Sequence, residues 1–281
     1  MSVKASTLAS PKASGEENPP GGIAVKLLYI NPSKLKPHEA YIESRVDEVR
    51  ESIVKSRCLV KPFIVDESTL TVIDGTHRLE VLRRLGVSRI PVLAVDYLGE
   101  DEIKVERWIR IYRGSSGALE ELLRLLKNTI PGNVIVGKGM VIYRVREVED
   151  PASVYWLIRD VESYLKGVTL GFTHGVPRRP GRALVLIPPK LDKRDVVRAA
   201  TEGRLFPPKT TRHVTVLKRV TLRTRLSDLF QAHSSVALAP SSPSPSYTVS
   251  LSPLQDPLSP VSPPRAPPLQ HPLFVPRGIP C

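Results

Sequence analysis

Apolar positions along the first half of the chain fall into short blocks of two alternating kinds. Ile23 to Ile30 is a nearly unbroken apolar run and predicts a strand. Asn31 to Pro37 interrupts it, and Pro37 fixes the backbone just ahead of His38 and Glu39. Val46, Val49 and Ile53, set against Arg45, Glu48 and Glu51, predict a helix from about Glu43 to Lys55. Pro62 to Asp66 and Leu70 to Ile73 predict two strands turning through Glu67-Ser68-Thr69. A helix from His77 to Leu85, stopped by Gly86, and a strand from Ile90 to Tyr97 complete the block. Ile103 to Ile111 alternates as one further strand, and Leu119, Leu122, Leu123 and Leu126 mark an amphipathic helix that would close a first domain near Asn128.

The pattern thins afterwards. Val134 to Val136 and Met140 to Val145 predict a hairpin around Gly137-Lys138-Gly139, Pro151 to Tyr164 a helix, Gly175 to Gly181 a basic loop, Ala183 to Ile187 a buried strand, and Lys193 to Glu202 a helix ended by Gly203. Strands and helices in short alternation predict a mixed α/β (α+β) fold in two parts, residues 23–128 and a smaller α/β domain over 129–230. Residues 1–22 are rich in Ser, Pro and Gly and are expected to be a disordered leader. Residues 231–281 carry 13 of the 28 prolines and no periodic apolar face, so a disordered Ser/Pro-rich tail is expected there.

Composition narrows the function classes. The formal charge is +13, and nearly all of it belongs to 23–230, because the two ends together hold only four Lys or Arg and three Asp or Glu. Such a balance suits a nucleic-acid binder and equally a protein that handles nucleotides. Aromatics are only 5% of the chain and are not interleaved with basic residues, which argues against stacking on unpaired bases. No stretch is long and apolar enough to span a bilayer. Two cysteines, Cys58 and Cys281, are too few for a disulfide framework or a metal quartet, and a reducing, cytoplasmic setting is the default expectation.

Two stretches concentrate chemistry. In Val72-Ile73-Asp74-Gly75-Thr76-His77-Arg78 a buried strand meets a polar turn that opens a helix, where unpaired N–H groups and the helix dipole favour an anion. Asp74 adds a carboxylate for metal binding or orientation, His77 an imidazole, and Arg78 a phosphate-matching fork. Asp74 or Thr76 reads equally well as a helix cap, with His77 and Arg78 on the surface. In Phe206-Pro207-Pro208-Lys209-Thr210-Thr211-Arg212-His213 two cations, two hydroxyls and an imidazole follow a helix-stopping proline pair, and such groups hold phosphate oxygens or line a solvated strand entrance. No Gly-x-x-x-x-Gly-Lys-Ser/Thr run is present, so a P-loop is excluded.

Together with Pro37-His38-Glu39, Val95-Asp96-Tyr97, Lys104-Val105 and Trp108, the first stretch resembles the ParB/sulfiredoxin-like fold. The second stretch, with Leu226-Ser227-Asp228-Leu229-Phe230, resembles the archaeal free-serine kinases (SerK) within it, so that the likeness spans most of residues 25–230. The resemblance implies transfer of a phosphoryl group from ADP or ATP to L-serine with Mg²⁺, feeding cysteine biosynthesis, in a monomeric protein without membrane or nucleic-acid partners. It implies Glu39 as general base, Asp74 as Mg²⁺ ligand or organiser, and His38 and Trp108 at the serine. It also implies Gly75, Thr76, His77, Arg78, Lys209, Thr210, Thr211, Arg212 and His213 at the phosphates. Thr76 stands where the family often has a histidine, and it cannot perform the cysteine chemistry of sulfiredoxins. The rival class is a ParB-like, nucleotide-dependent DNA-binding protein, which should carry a helix-turn-helix after the first block.

Overall fold

The computed structural model describes residues 22–137, 139–178 and 181–231 and the backbone of one further strand, Ser246–Ser250. Most elements lie where the hydrophobic pattern predicts them. The first sheet is built from β1 (Gly22–Ile30), β2 (Lys36–Pro37), β4 (Phe63–Asp66), β5 (Thr71–Asp74) and β6 (Ile90–Val95), with α1 (Glu43–Ser56) and the short β3 (Cys58–Leu59) between β2 and β4 and α2 (Thr76–Arg84) between β5 and β6. Along the sheet the order is β1-β6-β4-β5-β2. β4 is antiparallel to β5 and parallel to β6.

Both faces of this sheet are buried, and alternation along each strand decides which residue goes where. Phe63, Val65, Val72, Val92 and Ala94 pack with Val46 and Ile53 of α1 and Leu79, Val81 and Leu82 of α2. Ile64, Ile73, Leu93 and Val95 face the other way, onto Tyr97, Ile103, Leu217, Val220 and Val196. Val196 belongs to a helix introduced below that returns from far along the chain.

The expected strand Ile103 to Ile111 is two strands in two sheets. β7 (Lys104–Arg107) ends before Trp108, and β8 (Ile109–Gly114) leaves for a second sheet. The reason is long-range pairing. β8 is antiparallel both to β11 (Val168–Thr173), which the sequence reading missed, and to β12 (Ala183–Ile187). α3 (Ser116–Thr129), the hairpin of β9 (Gly132–Gly137) and β10 (Met140–Val145), and α4 (Pro151–Ser163) complete this unit, in the strand order β11-β8-β12-β10-β9. The division between sheets therefore falls at Trp108, ahead of the boundary expected near 128, because β8 and α3 share a core with α4 through Tyr112, Leu122, Leu126, Tyr155 and Ile158.

α5 (Lys193–Thr201) then packs back on the first sheet through Val196, β13 (Thr211–Val214) pairs with β7, and β14 (Thr224–Arg225) pairs with β3. α6 (Leu226–Phe230) places Leu229 in the first core. Within the segment expected to be a structureless tail, Ser246–Ser250 forms β15, antiparallel to β1. Tyr247-Thr248-Val249 is a β-branched and aromatic triplet, which supplies strand preference amid the Ser-Pro sequence. The expected leader up to residue 21, and residues 232–245 and 251–281 of the expected tail, lie outside the described residues.

Leu82 is fully buried between α2 and the sheet. Leu82→Ala is expected to destabilise the protein by about 2–5 kcal/mol, through lost burial and the cavity left behind, read as a lower urea midpoint with an unchanged m-value.

Candidate active site

The site lies where the two chemistry-bearing stretches meet. Glu39 forms a parallel bridge with Phe206, made by Phe206 N–H to the His38 carbonyl and Ala40 N–H to the Phe206 carbonyl, each 2.9 Å. That stitch brings the carboxylate under the loop ahead of β13. Its Oε1 accepts from Thr211 N–H at 2.5 Å and from the Thr211 hydroxyl at 2.6 Å, and its Oε2 accepts from Lys209 N–H at 3.2 Å. Burial pushes the Glu39 carboxyl up, but the His38 imidazole and the two Thr211 donors more than offset this and hold it below its ordinary value. Glu39 is therefore an ionised acceptor at neutral pH.

Across a cavity of about 160 Å³ stands the turn between β5 and α2. Gly75 occupies the N-cap position with φ +116°, and no side chain caps the helix, so neither Asp74 nor Thr76 plays that part. The first-turn N–H groups are thus left for an anion, an arrangement worth roughly 0.3–1 kcal/mol to a negative charge. Glycine is required at this position: a Cβ would lie 2.7 Å from the Phe63 ring, in a backbone region that L side chains rarely adopt.

Two histidines line the cavity as neutral groups. His77 Nε2 accepts from Ile42 N–H at 3.1 Å, and burial followed by the charge of Lys209 lowers its pKa. His213 meets the Tyr97 hydroxyl through Nε2 at 2.7 Å and is held well below its ordinary value, first by burial and then by His38, Lys218 and Lys193. Burial pushes the Tyr97 hydroxyl up, so it keeps its proton and donates to that nitrogen.

Of the residues singled out in the sequence, the cavity gathers Glu39, Asp74, Gly75, Thr76, His77, Trp108, Lys209, Thr211, Arg212 and His213. Trp108 donates from Nε1 to the Thr211 carbonyl at 3.0 Å, and Lys209 Nζ stands 4.9 Å from its ring centroid. Arg212 pairs with Glu106 at the rim.

Three of the expected residues are placed apart from the others. Arg78 lies outside this cavity and lines the larger one described below; its guanidinium donates to the carbonyls of Lys61 and Pro62 and to Asp74, above the Phe63 ring, and so braces the turn. Thr210 is buried, with its hydroxyl on the Pro207 carbonyl. His38 touches the wall, but Nδ1 donates to the Val72 carbonyl and Nε2 meets the Thr211 hydroxyl, both at 2.8 Å, which leaves neither nitrogen for a substrate.

One cation was missed. Lys218 lines the cavity, with Nζ 3.4 Å from Asp74 Oδ1, and nothing in Val216-Leu217-Lys218-Arg219 distinguishes it from surface sequence. On its other side the Asp74–Arg78 turn borders a second, larger cavity of about 520 Å³, walled by Val49, Ile53, Leu59 and Val60. A phosphate at the α2 N-terminus would be reachable from both cavities.

The chain matches no protein-family model. It is 31% identical over 190 residues to a ParB-like protein of Sulfolobus acidocaldarius, an alignment that spans 67% of this chain and 90% of that one. The chain belongs to the ParB-like family. Other relatives of this family member include the ADP-dependent L-serine kinase SerK of Thermococcus kodakarensis, 24% identical over 228 residues, with 73% of this chain and 94% of that one covered. Its fold is shared with a free serine kinase solved as a glutamate-to-glutamine variant in complex with AMP, at a TM-score of 0.54 and 20% identity, covering 73% of this chain and 95% of that one. Among the described residues no helix is long and apolar enough to cross a membrane.

Because His77 and His213 are both depressed, the folded state binds fewer protons than the unfolded chain in the histidine range. Their stabilising contribution is present above the ordinary value of 6.5 and is lost as pH falls through the folded values. The urea midpoint should therefore drop between about pH 7.5 and 5.5, and His213→Gln should flatten that drop.

Proposed function

We propose that the protein transfers the terminal phosphoryl group of ADP or ATP to the hydroxyl of free L-serine. The observation that carries this reading is the convergence, on one small cavity, of an ionised carboxylate, an uncapped helix N-terminus and the cations Lys209, Arg212 and Lys218. The serine kinases among its relatives support the same chemistry. In this reading the serine Oγ–P bond forms as the bond from phosphorus to the bridging oxygen of the nucleotide breaks. The hydroxyl proton passes to Glu39, and the nucleotide leaves one phosphate shorter.

The α2 N–H groups, the N–H donors of the neutral histidines, and Lys209 and Lys218 would spread the charge on the phosphoryl oxygens, with catalysis residing mainly in that preorganised field. The larger cavity has the size and apolar walls for the nucleoside. Among the described residues no group of three His, Cys, Asp or Glu side chains is gathered for a metal ion. Asp74 alone fits the usual mode of Mg²⁺, which takes one or two carboxylates and completes its shell with water and substrate phosphate. Asp74 would hold it there, and the ion would neutralise charge between the phosphates. The product, O-phospho-L-serine, would feed cysteine synthesis in the cytoplasm. A DNA-binding role has no support in the topology, because α3 leads into the β9–β10 hairpin where a helix-turn-helix would be needed.

Incubation with L-serine, Mg²⁺ and either ADP or ATP, followed by phosphorus NMR, should show the phosphomonoester resonance of phosphoserine; its absence with both donors would end this reading. Glu39→Gln should lower turnover by roughly 10²–10⁴ with little change in nucleotide affinity.

A further inference from the structure

Among the described residues Arg110 is the largest fully buried side chain, although it is a cation. It lies on β8, outside the cavity. Its guanidinium donates to both oxygens of Glu162 on α4, at 3.1 and 3.3 Å, and to the Pro208 carbonyl at 3.3 Å, over the Phe172 ring. Glu162 also accepts from the Tyr112 hydroxyl at 2.6 Å. Among the described residues the Nε–H of Arg110 has no partner. A buried ion pair with an unsatisfied donor is a poor source of stability, since desolvation rivals the attraction, and such a pair calls for another account.

The account lies in the Pro208 carbonyl. The next residue, Lys209, is a non-glycine residue at φ +59°, a strained conformation that persists only where its surroundings enforce it. That conformation presents Lys209 N–H to Glu39 and Lys209 Nζ to the Trp108 ring. Without an anchor on its carbonyl side, the peptide between Pro208 and Lys209 can relax to ordinary φ and withdraw one of the three donors on Glu39.

We propose that Arg110, clamped by Glu162, is a positioning residue that holds the Pro208–Lys209 peptide in register with Glu39 and so couples the second sheet to the catalytic carboxylate. It touches neither substrate nor reacting atoms. The inference deepens the kinase reading and rests on it only for the role given to Glu39. The ionisable groups that surround Glu39 are His38 on its own loop, His77 on the opposing turn, Tyr155 from α4 and Lys209 on the anchored loop itself.

The test pairs Arg110→Met with Glu162→Gln, which removes both charges of the pair while leaving an amide oxygen for Tyr112. Arg110→Lys serves as the second variant, keeping the charge without a fork able to reach Glu162 and Pro208 together. Two readouts are taken on the full chain. One is the titration of the Glu39 carboxyl by ¹³C NMR, its resonance identified by its absence in Glu39→Gln. The other is serine turnover. Melting behaviour close to that of the unaltered protein, a Glu39 titration moved upward, and turnover reduced by about tenfold or more at unchanged nucleotide KM would bear the proposal out. Folded variants whose Glu39 titrates as before would overturn it, as would loss of folding in both, which would assign the pair to stability alone. Should the unaltered protein fail to phosphorylate serine, the kinase reading falls, yet the titration still decides the role of Arg110.

Discussion

The three hydrogen bonds that the loop before β13 places on Glu39 are the constraint on which the site depends. The donors are the backbone N–H groups of Lys209 and Thr211 and the Thr211 hydroxyl, while the acceptor sits 170 residues or more earlier in the chain. A carboxylate so nearly buried would ordinarily take up a proton; the His38 imidazole first, and the two Thr211 donors with it, hold it ionised. The donors also fix its direction, since Thr211 is tied in turn to His38, and His38 to the Val72 carbonyl within β5. The sheet, Glu39 and the Lys209–Thr211 segment are thus one connected hydrogen-bonded unit. An acceptor with three donors is a weak base in the resting protein. That suits a loose phosphoryl transfer, in which the hydroxyl proton need leave only as the new bond to phosphorus forms.

The rest of the fold makes this meeting possible. Both faces of the first sheet are buried, and one is covered by residues from late in the chain, Val196, Leu217 and Val220. The second unit is therefore not an appendage. Its β8 leaves the first unit at Trp108, and its last helix returns to the first sheet, so the Lys209 loop is held from both sides. Trp108 marks the crossing, bonded to the Thr211 carbonyl and with its ring tilted against that of His174, just after β11.

Much of this was legible in the residues. The β-branched run Thr71-Val72-Ile73 ahead of a glycine turn and a leucine-spaced helix could only be a strand feeding a helix, and it is β5 and α2. What escaped depended on partners that no local pattern names. Alternation runs on through Lys104 to Ile111, so nothing there announces that the chain changes sheets at Trp108; β11 and β12 decide that by pairing with β8. Val168–Thr173 alternates weakly, with a glycine at its centre, and only its neighbour makes it a strand. That Arg78 also braces its turn was not legible, because its partners, the carbonyls of Lys61 and Pro62, lie outside the motif. Lys218 and Arg110 had no motif to betray them, since one is defined by facing Asp74 and the other by lying under Pro208.

The bridge between Glu39 and Phe206 also bears on how the molecule comes to be made. It closes a loop of most of the described chain, and contacts of such separation form late, after the entropy of joining distant segments has been met by local packing. During synthesis the first sheet can begin to assemble its strands while Glu39 still lacks the donors of Lys209 and Thr211. The chain consequently acquires a competent centre only when its last third has emerged and docked, so an unfinished copy can hold folded structure and yet have no site at which to consume nucleotide.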